Sequence, residues 1–455
     1  MPGSDAAALA ALRQVESELN TRWPETRIDP TLDRIGALVD LLGNPQRAYP
    51  VLQIAGTNGK TSIARMIDVL LLALGVRTGR FTSPHLQLVT ERINVDGELV
   101  SPQRYVAAYH DIEPYLSLVD SAQPVRVSKF EALTAMAYAT FADAPVDVAV
   151  VEVGLGGRWD STNVVDAHVA VVAPVGVDHV EYLGKDIAGI AAEKVGIVKP
   201  GSIAVIAEQQ AEAADAILRH CVDMDATVAR QGMEFGVLGR EVAVGGQRLR
   251  LQGLGGVYDD IVLYLHGEHQ ASNAALALAA VEAFFGAGPS RQLDLEAVRD
   301  AFAAVRTPGR LEPVRAAPTV LLDAAHNPMG ATALAKTITE EFAFRRLVGV
   351  VGVMRDKDAQ HILAELEPVL SDVVLTQNSS PRAMDADEFA GVAKGVFGDE
   401  RIVVEPKLDD AIETAVRLAE EVGEPGEPLS GAGVLVTGSV VTVGEARALF
   451  GKEPA

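Results

Sequence analysis

The residues with the plainest chemistry are Gly56-Thr57-Asn58-Gly59-Lys60-Thr61-Ser62, set between the apolar run 51 to 55 and a helical pattern running from 63 to 74. Strand, glycine turn and amphipathic helix in that order build a phosphate cradle. The glycines let successive N–H groups turn inward, the helix N-terminus adds partial positive charge, and Lys60 reaches the outer phosphates. The Thr61 hydroxyl is placed to hold Mg²⁺. The stretch is a compressed variant of the general P-loop, which needs a glycine five places before Gly59 and here meets Ile54. Glycine turns between a strand and a helix also occur without a ligand, but Lys and Thr directly after the glycine, at a helix mouth, favour phosphate.

Further residues carry chemistry at the ends of other apolar runs. Glu152 closes the run 146 to 153; a carboxylate leaving a buried strand needs a cation, and in a P-loop protein such an acid is the usual Mg²⁺ ligand, with a salt bridge to Arg158 as the plainer reading. Ser83 follows the strand 78 to 82, which Pro84 terminates. His179 stands after Asp178 beyond another strand, and a lone histidine there is more often a packed or capping residue than a metal ligand, so by itself it carries no assignment. Lys194 follows Glu193 on a helix, a pattern common on solvated faces. An ammonium cannot coordinate a cation, and Lys194 becomes a ligand only when CO₂ converts it to a carbamate. In the second half, Asp323 to Pro328 ends a strand and opens a helix; Asp323 and His326 either form a plain Asn-Pro turn or grip a nucleotide or an amine substrate. Arg310 follows the break 306 to 309 and either reaches phosphate or pins the linker.

The elements that must position these residues are α/β in pattern. Helices are expected over 5 to 20, 31 to 43, 102 to 118, 129 to 142 and 185 to 195, strands over 78 to 82, 146 to 153, 168 to 172 and 203 to 207, and a hairpin around Asp96-Gly97. Near-continuous apolar strands alternating with helices predict a doubly wound parallel sheet whose ligands lie beyond the C-terminal strand ends, where the loops after 55, 82, 153 and 177 all fall. Glycine-rich alternation from 232 to 265 predicts hairpins, and 268 to 285 an alanine-rich helix. After 306 a fresh set of βα units is expected, with strands near 319 to 323, 346 to 353, 372 to 376 and 432 to 437. The chain thus divides into a P-loop-containing, doubly wound N-terminal domain (1–306) and a smaller Rossmann-like α/β C-terminal domain (310–455).

With 455 residues, 48% hydrophobic and 22% charged, the chain has the composition of a soluble two-domain protein. A formal charge of −23 speaks against nucleic acid, whose backbone demands a basic surface. The single cysteine, Cys221, excludes an intramolecular disulfide and fits a reducing compartment. No leader-like N-terminus and no bilayer-length apolar run is visible, so a cytoplasmic protein without membrane contact is expected; a monomer is expected as well, though no sequence feature specifies it.

Taken together the motifs AGTNGKTS (55–62), SPH (83–85), TERI (90–93), KFEALTAMA (129–137), EVGLGGRWD (152–160), DHVEYLG (178–184), AAEKVGIVKP (191–200), PGRLE (308–312) and DAAHNP (323–328) resemble the Mur ligase superfamily and, within it, the folylpolyglutamate synthase/dihydrofolate synthase (FolC-type) family. The resemblance spans essentially the whole chain. It implies ATP held by Thr57, Asn58, Gly59, Lys60 and Thr61, with Asn273, Arg310 and Asp323 completing the nucleotide site between the domains. It implies two Mg²⁺ sites with Ser83, Glu152, His179 and carbamylated Lys194 as ligands, and it gives catalytic roles to Lys60, Lys194 and His326. It places pteroate against Ser128, Lys129, Phe130, Glu131, Trp159, Asp160, Ser161 and Arg27. The function expected is an ATP-dependent ligase that adds L-glutamate to dihydropteroate or to reduced folates and folylpolyglutamates through an acyl phosphate. A peptidoglycan Mur ligase is the nearest rival; it usually carries a separate N-terminal UDP-binding domain, for which some fifty residues before Gly56 are too few. A nucleotide switch that binds without ligating leaves the metal set and the 310 to 328 features unexplained.

Overall fold

The computed structural model describes residues 2–24, 29–286, 288, 291–421 and 431–454. Arg27 lies outside them. The apolar runs of the first half become β1 (Val51–Ala55), β5 (Val148–Glu152), β6 (Val169–Val172) and β7 (Ile203–Ile206), which with β2 (Thr78–Phe81), β3 (Ile93–Val95), β4 (Glu98–Leu99) and β8 (Thr227–Arg230) form one sheet in the order β4-β3-β2-β5-β1-β6-β7-β8. From β2 to β8 the neighbours run parallel, and the pairings β2–β3 and β3–β4 are antiparallel.

Every residue of β1 and β5 is buried because helices cover both faces of the sheet. Leu52 and Ile54 meet Ile63, Met66 and Ile67 of the helix Lys60–Ala73. Val51, Ala149 and Val151 point the other way, onto Leu133, Met136 and Tyr138 of the helix Lys129–Asp143. The chain passes from β1 to β2 and later inserts β5 between them, so the loops after β1, β5 and β6 emerge side by side at a topological switch point.

The glycine-rich stretch forms β9 (Gly236–Ala243), β10 (Gly246–Gln252) and β11 (Val257–Leu263), a separate antiparallel sheet in the order β11-β10-β9. Its Leu249, Leu251, Tyr258 and Ile261 share one core with the helix Glu268–Phe284, which is apolar nearly all round because it is wedged between that sheet and the large one.

The second half holds a six-stranded sheet, β12-β13-β17-β14-β15-β16, built from β12 (Glu312–Ala316), β13 (Thr319–Leu322), β14 (Arg346–Val351), β15 (Asp372–Leu375), β16 (Ile402–Val404) and β17 (Ala432–Thr437). Two of these strands escape the sequence pattern. β12 is an antiparallel edge strand with Pro313 and three exposed positions, and β16 is an edge strand only partly buried at each residue, so neither carries the apolar signature of a central strand. Among the described residues no helix is long and apolar enough to cross a membrane.

The halves meet tightly where the helix Val440–Leu449 lies on the loop after β2. Arg447 donates from Nη1 to Gln87, and Gln87 Nε2 donates to the Lys452 carbonyl at 2.9 Å. A side chain at Gly444 would place its Cβ on the Leu86 carbonyl oxygen. Gly444→Ala should therefore cost about 1–3 kcal/mol of overpacking, concentrated at this contact. A lower melting temperature with reduced ligase activity is the expected result; an unchanged thermal scan and unchanged activity would show that the two halves do not pack as closely as described.

Candidate active site between the two sheets

The phosphate loop folds as its sequence demands. Gly59 has φ +87° and Gly56 +151°, and the Cβ of any residue at Gly59 would come within 2.8 Å of Asn273 Oδ1. That close approach brings Asn273, on the buried helix Glu268–Phe284, against the loop. The Thr57 hydroxyl donates to the Gly176 carbonyl and accepts from the Gly176 N–H, both at 2.9 Å, tying the loop to the segment after β6. Lys60 Nζ curls back to the Gly56 and Thr57 carbonyls at 3.1 and 3.3 Å.

Beside the loop Glu152 is 1% exposed at the end of β5. It accepts from the Thr61 hydroxyl at 3.0 Å and the Ser83 N–H at 3.3 Å. Burial raises its pKa, and the charges of Lys60 and Arg310 work against that rise. Arg158 instead donates to the Ala192 carbonyl, so the salt-bridge reading of Glu152 does not hold. The structure thus gathers Ser83, Glu152 and Thr61. Among the described residues no three His, Cys, Asp or Glu side chains form a metal group. The oxygen set here is one buried carboxylate and two hydroxyl-bearing residues, which suits a hard cation such as Mg²⁺ that keeps several waters.

Lys194, 4% exposed, donates through Nζ to the Gly56 carbonyl at 3.1 Å, on the underside of the phosphate loop. Burial, together with the neighbouring Lys60 charge, lowers its pKa to about 7. His179 adopts a left-handed backbone at φ +50°, a strained conformation for a non-glycine residue. Its Nε2 stands 3.9 Å from Asp178 Oδ2, and burial lowers its pKa to about 3, which leaves the ring neutral.

The second half closes on Asp178. Lys357 Nζ reaches Asp178 Oδ1 at 2.6 Å, Asn327 Nδ2 reaches Oδ2 at 3.0 Å, and His326 Nε2 stands 3.9 Å away. Burial opposes ionisation of Asp178, but Lys357 and the two histidines hold its carboxyl well below the usual carboxylate range. Asn327 also exchanges amide hydrogen bonds with Asn58 of the phosphate loop, at 3.2 and 3.0 Å, while its Oδ1 caps the next helix at Gly330. His326 Nδ1 meets the Ala324 carbonyl at 2.9 Å and must donate there; burial lowers its pKa to about 4, so Nε2 is left as an acceptor. Asp323 accepts from the N–H groups of Leu311 and Ala325, and the first of these holds Leu311 at φ +44°, immediately after Arg310. Arg310 acts electrostatically on Asp323 and Glu152, one from each half.

The residues assigned to pteroate divide into two groups. Glu131 closes a capping box with Ser128 and takes Arg34 Nε at 3.1 Å, Asp160 holds the N–H groups of Leu155 and Thr162, and Ser161 meets the Thr134 hydroxyl at 3.2 Å. Each of these side chains thus braces its own loop or helix start. Lys129 Nζ reaches Asn20 Oδ1 at 2.8 Å. Phe130 and Trp159, both half-buried, frame the loop after β5: Phe130 lies 5.9 Å from Phe81 and against Gly154, and Trp159 against Gly156. Lys357 was missed by sequence reasoning altogether, and Asp178 and Asn327 were noted without a role. The signal for Lys357 was available, since it lies on the loop beyond the C-terminal end of β14, a central parallel strand.

The chain matches the family models of the Mur ligase middle domain over residues 54–281 and of the Mur ligase glutamate ligase domain over residues 309–440. It is 58% identical to a dihydrofolate synthase/folylpolyglutamate synthase of Mycobacterium tuberculosis, over 98% of this chain and 95% of that protein. Against the Escherichia coli dihydrofolate synthase/folylpolyglutamate synthase the identity is 32%, covering 80% and 81%. The structure superposes on Mycobacterium tuberculosis folylpolyglutamate synthase complexed with ADP with a TM-score of 0.95 at 57% identity, over 98% of this chain and 100% of that one. On Escherichia coli FolC in complex with DHPP and ADP the TM-score is 0.83 at 29% identity, over 97% of each chain. The chain belongs to the dihydrofolate synthase/folylpolyglutamate synthase family, ligases of the Mur type that form C–N bonds.

Proposed function

We propose that the interdomain cleft joins L-glutamate to dihydropteroate or to a reduced folate through an acyl phosphate, with residues 1–306 and 310–455 acting as the two jaws. The observation that carries this reading is Thr61 meeting the desolvated Glu152 at 3.0 Å beside the phosphate loop, with Asn327 reaching across from the other half to Asn58. ATP lies along Thr57 to Thr61, with Asn273, Arg310 and Asp323 at its flank. The substrate carboxylate attacks the γ-phosphorus and ADP leaves. The glutamate amine then attacks the acyl carbon and phosphate leaves. Lys60 and the loop N–H groups neutralise charge on the transferring phosphoryl group. The acceptor Nε2 of His326 orients the incoming amine, and Lys357, beside Asp178, meets its carboxylate. Phe130 and Trp159 bracket the flat ring system, with Lys129 at the rim. Closure of the two halves protects the acyl phosphate from water.

Mg²⁺ when bound screens repulsion between the phosphates and the attacking carboxylate; Thr61, Ser83 and Glu152 would hold one ion, and His179 with carbamylated Lys194 a second. All the named side chains come from one chain, so a monomer suffices. The buried thiol Cys221 suits the reducing cytoplasm.

ADP release should require ATP, L-glutamate and a pteroate or folate acceptor together. Release with a UDP-muramyl acceptor alone would replace the folate assignment by a peptidoglycan one, and turnover independent of glutamate would indicate a nucleotide switch. Glu152→Gln should raise the Mg²⁺ concentration for half-maximal activity by about 10–100-fold; an unshifted Mg²⁺ titration removes Glu152 from the metal site. Carbamate formation needs the neutral amine. Because Lys194 titrates near 7, enzyme stripped of CO₂ should be reactivated by bicarbonate increasingly as pH rises through that value. Lys194→Ala should lose about 10–100-fold of activity, partly restored by acetate; no restoration, together with no carbamate in a crystal of the native enzyme, ends the carbamate role.

A further inference from the structure

The helix Pro328–Glu341 begins at the cluster around Asp178 and ends, fourteen residues on, about 21 Å away. Its first end is fixed to the N-terminal half by Asn327, which bonds both Asn58 and Asp178. Its last residue, Glu341, is fixed to the same half by different means. The Glu341 side chain has no solvent exposure. It pairs with Arg240 of β9, meets His266 Nδ1 at 2.8 Å and accepts from the Gly267 N–H at 2.8 Å. All three partners belong to the opposite half.

The socket is built rather than incidental. Gln247, fully buried on β10, accepts from Arg240 Nε at 2.6 Å, and its own amide is held by the Leu265 and Gly267 carbonyls at 2.9 and 3.0 Å. Around the rim Lys336 pairs with Glu268, Arg240 approaches Glu340 at 3.8 Å, and the His266 ring lies 4.8 Å from Phe342. Gly267 leads directly into the helix that brings Asn273 to the phosphate loop. A buried carboxylate answered entirely by donors from another domain is stable only while the two are assembled, and removing one partner leaves its charge uncompensated. The two ends of the helix differ in this respect. The Asp178 end lies beside the phosphate loop, to which Asn327 is bonded through Asn58, whereas the Glu341 end lies a helix length, about 21 Å, away from it.

We propose that the Arg240–Glu341 pair is the pivot of domain closure. The three-stranded sheet serves as the bracket that holds the tail of the helix, and Arg240 and Glu341 are positioning residues for ligation. Motion about this bolt swings Asn327, His326 and Lys357 onto and off Asp178. The inference rests on the reading that the cleft is where the glutamate amine meets the acyl phosphate.

The test compares Arg240→Gln, Arg240→Lys, Glu341→Gln and the Arg240→Gln/Glu341→Gln double variant of the full chain by steady-state kinetics and by small-angle scattering without nucleotide. Loss of the bolt should lower kcat/KM for L-glutamate at least about tenfold. KM for the folate acceptor, whose site lies in the N-terminal half, should stay within about threefold, and the double variant within about threefold of the worse single one, because all remove one device. The radius of gyration should rise, and Arg240→Lys should recover part of the activity. Multiplying losses in the double variant, equal losses in both substrates with an unchanged radius, or activity equal to an active wild type would each overturn the pivot. Should Glu341→Gln fail to fold, the two Arg240 variants decide the matter by the same kinetic and scattering readouts. A wild type without glutamate-dependent ADP release would instead sink the reaction on which the inference rests.

Discussion

The hydrogen bond from the Thr61 hydroxyl to Glu152 joins the first turn of the helix after the phosphate loop to the end of the neighbouring strand. Glu152 is withdrawn from water, and its neutral donors do not compensate a full negative charge in that setting. A cation must be near, and the elements supply partial answers in Lys60 and Arg310 and an oxygen-lined place for a divalent ion. The topology exists to make that contact. Only because β5 is inserted beside β1 does its terminal carboxylate arrive next to a loop nearly a hundred residues earlier in the chain.

On the same half a second carboxylate, Asp178, is the group on which the other domain converges. Lys357 and Asn327 converge on it, with His326 close by, and Asn327 simultaneously reads the phosphate loop through Asn58. The phosphate loop is thereby tied directly to the partner domain through an amide pair. The opposite end of the same helix is held to the N-terminal half by a buried ion pair between Glu341 and Arg240, so both ends of the helix are tied to the other domain by different chemistry.

Much of this was legible in the chain. The apolar runs with no alternation identified the central strands, since a strand covered on both faces needs no polar side, and the acid at the end of one run and the glycine turn at the end of another marked the chemical edge of the sheet. The edge strands β12 and β16 were not legible, because partial exposure erases the apolar pattern. Glu131, Asp160 and Ser161 sit in motifs that suggested substrate contact, yet their side chains are consumed in a capping box, a loop brace and a hydroxyl pair. Residue type and spacing do not reveal these internal bonds, because they form only once the loops and helix starts are folded together.

The sequence by itself determined the α/β architecture, the compressed phosphate loop and the existence of acids and cations at strand ends, because periodicity, glycine placement and chemical type are local properties. The tertiary structure alone decided which of those groups share a site. Glu152 with Thr61, Asp178 with Lys357 and Asn327, and Glu341 with Arg240 are pairs separated by roughly ninety to one hundred and eighty residues, and only strand order and domain docking bring their charges within reach of one another.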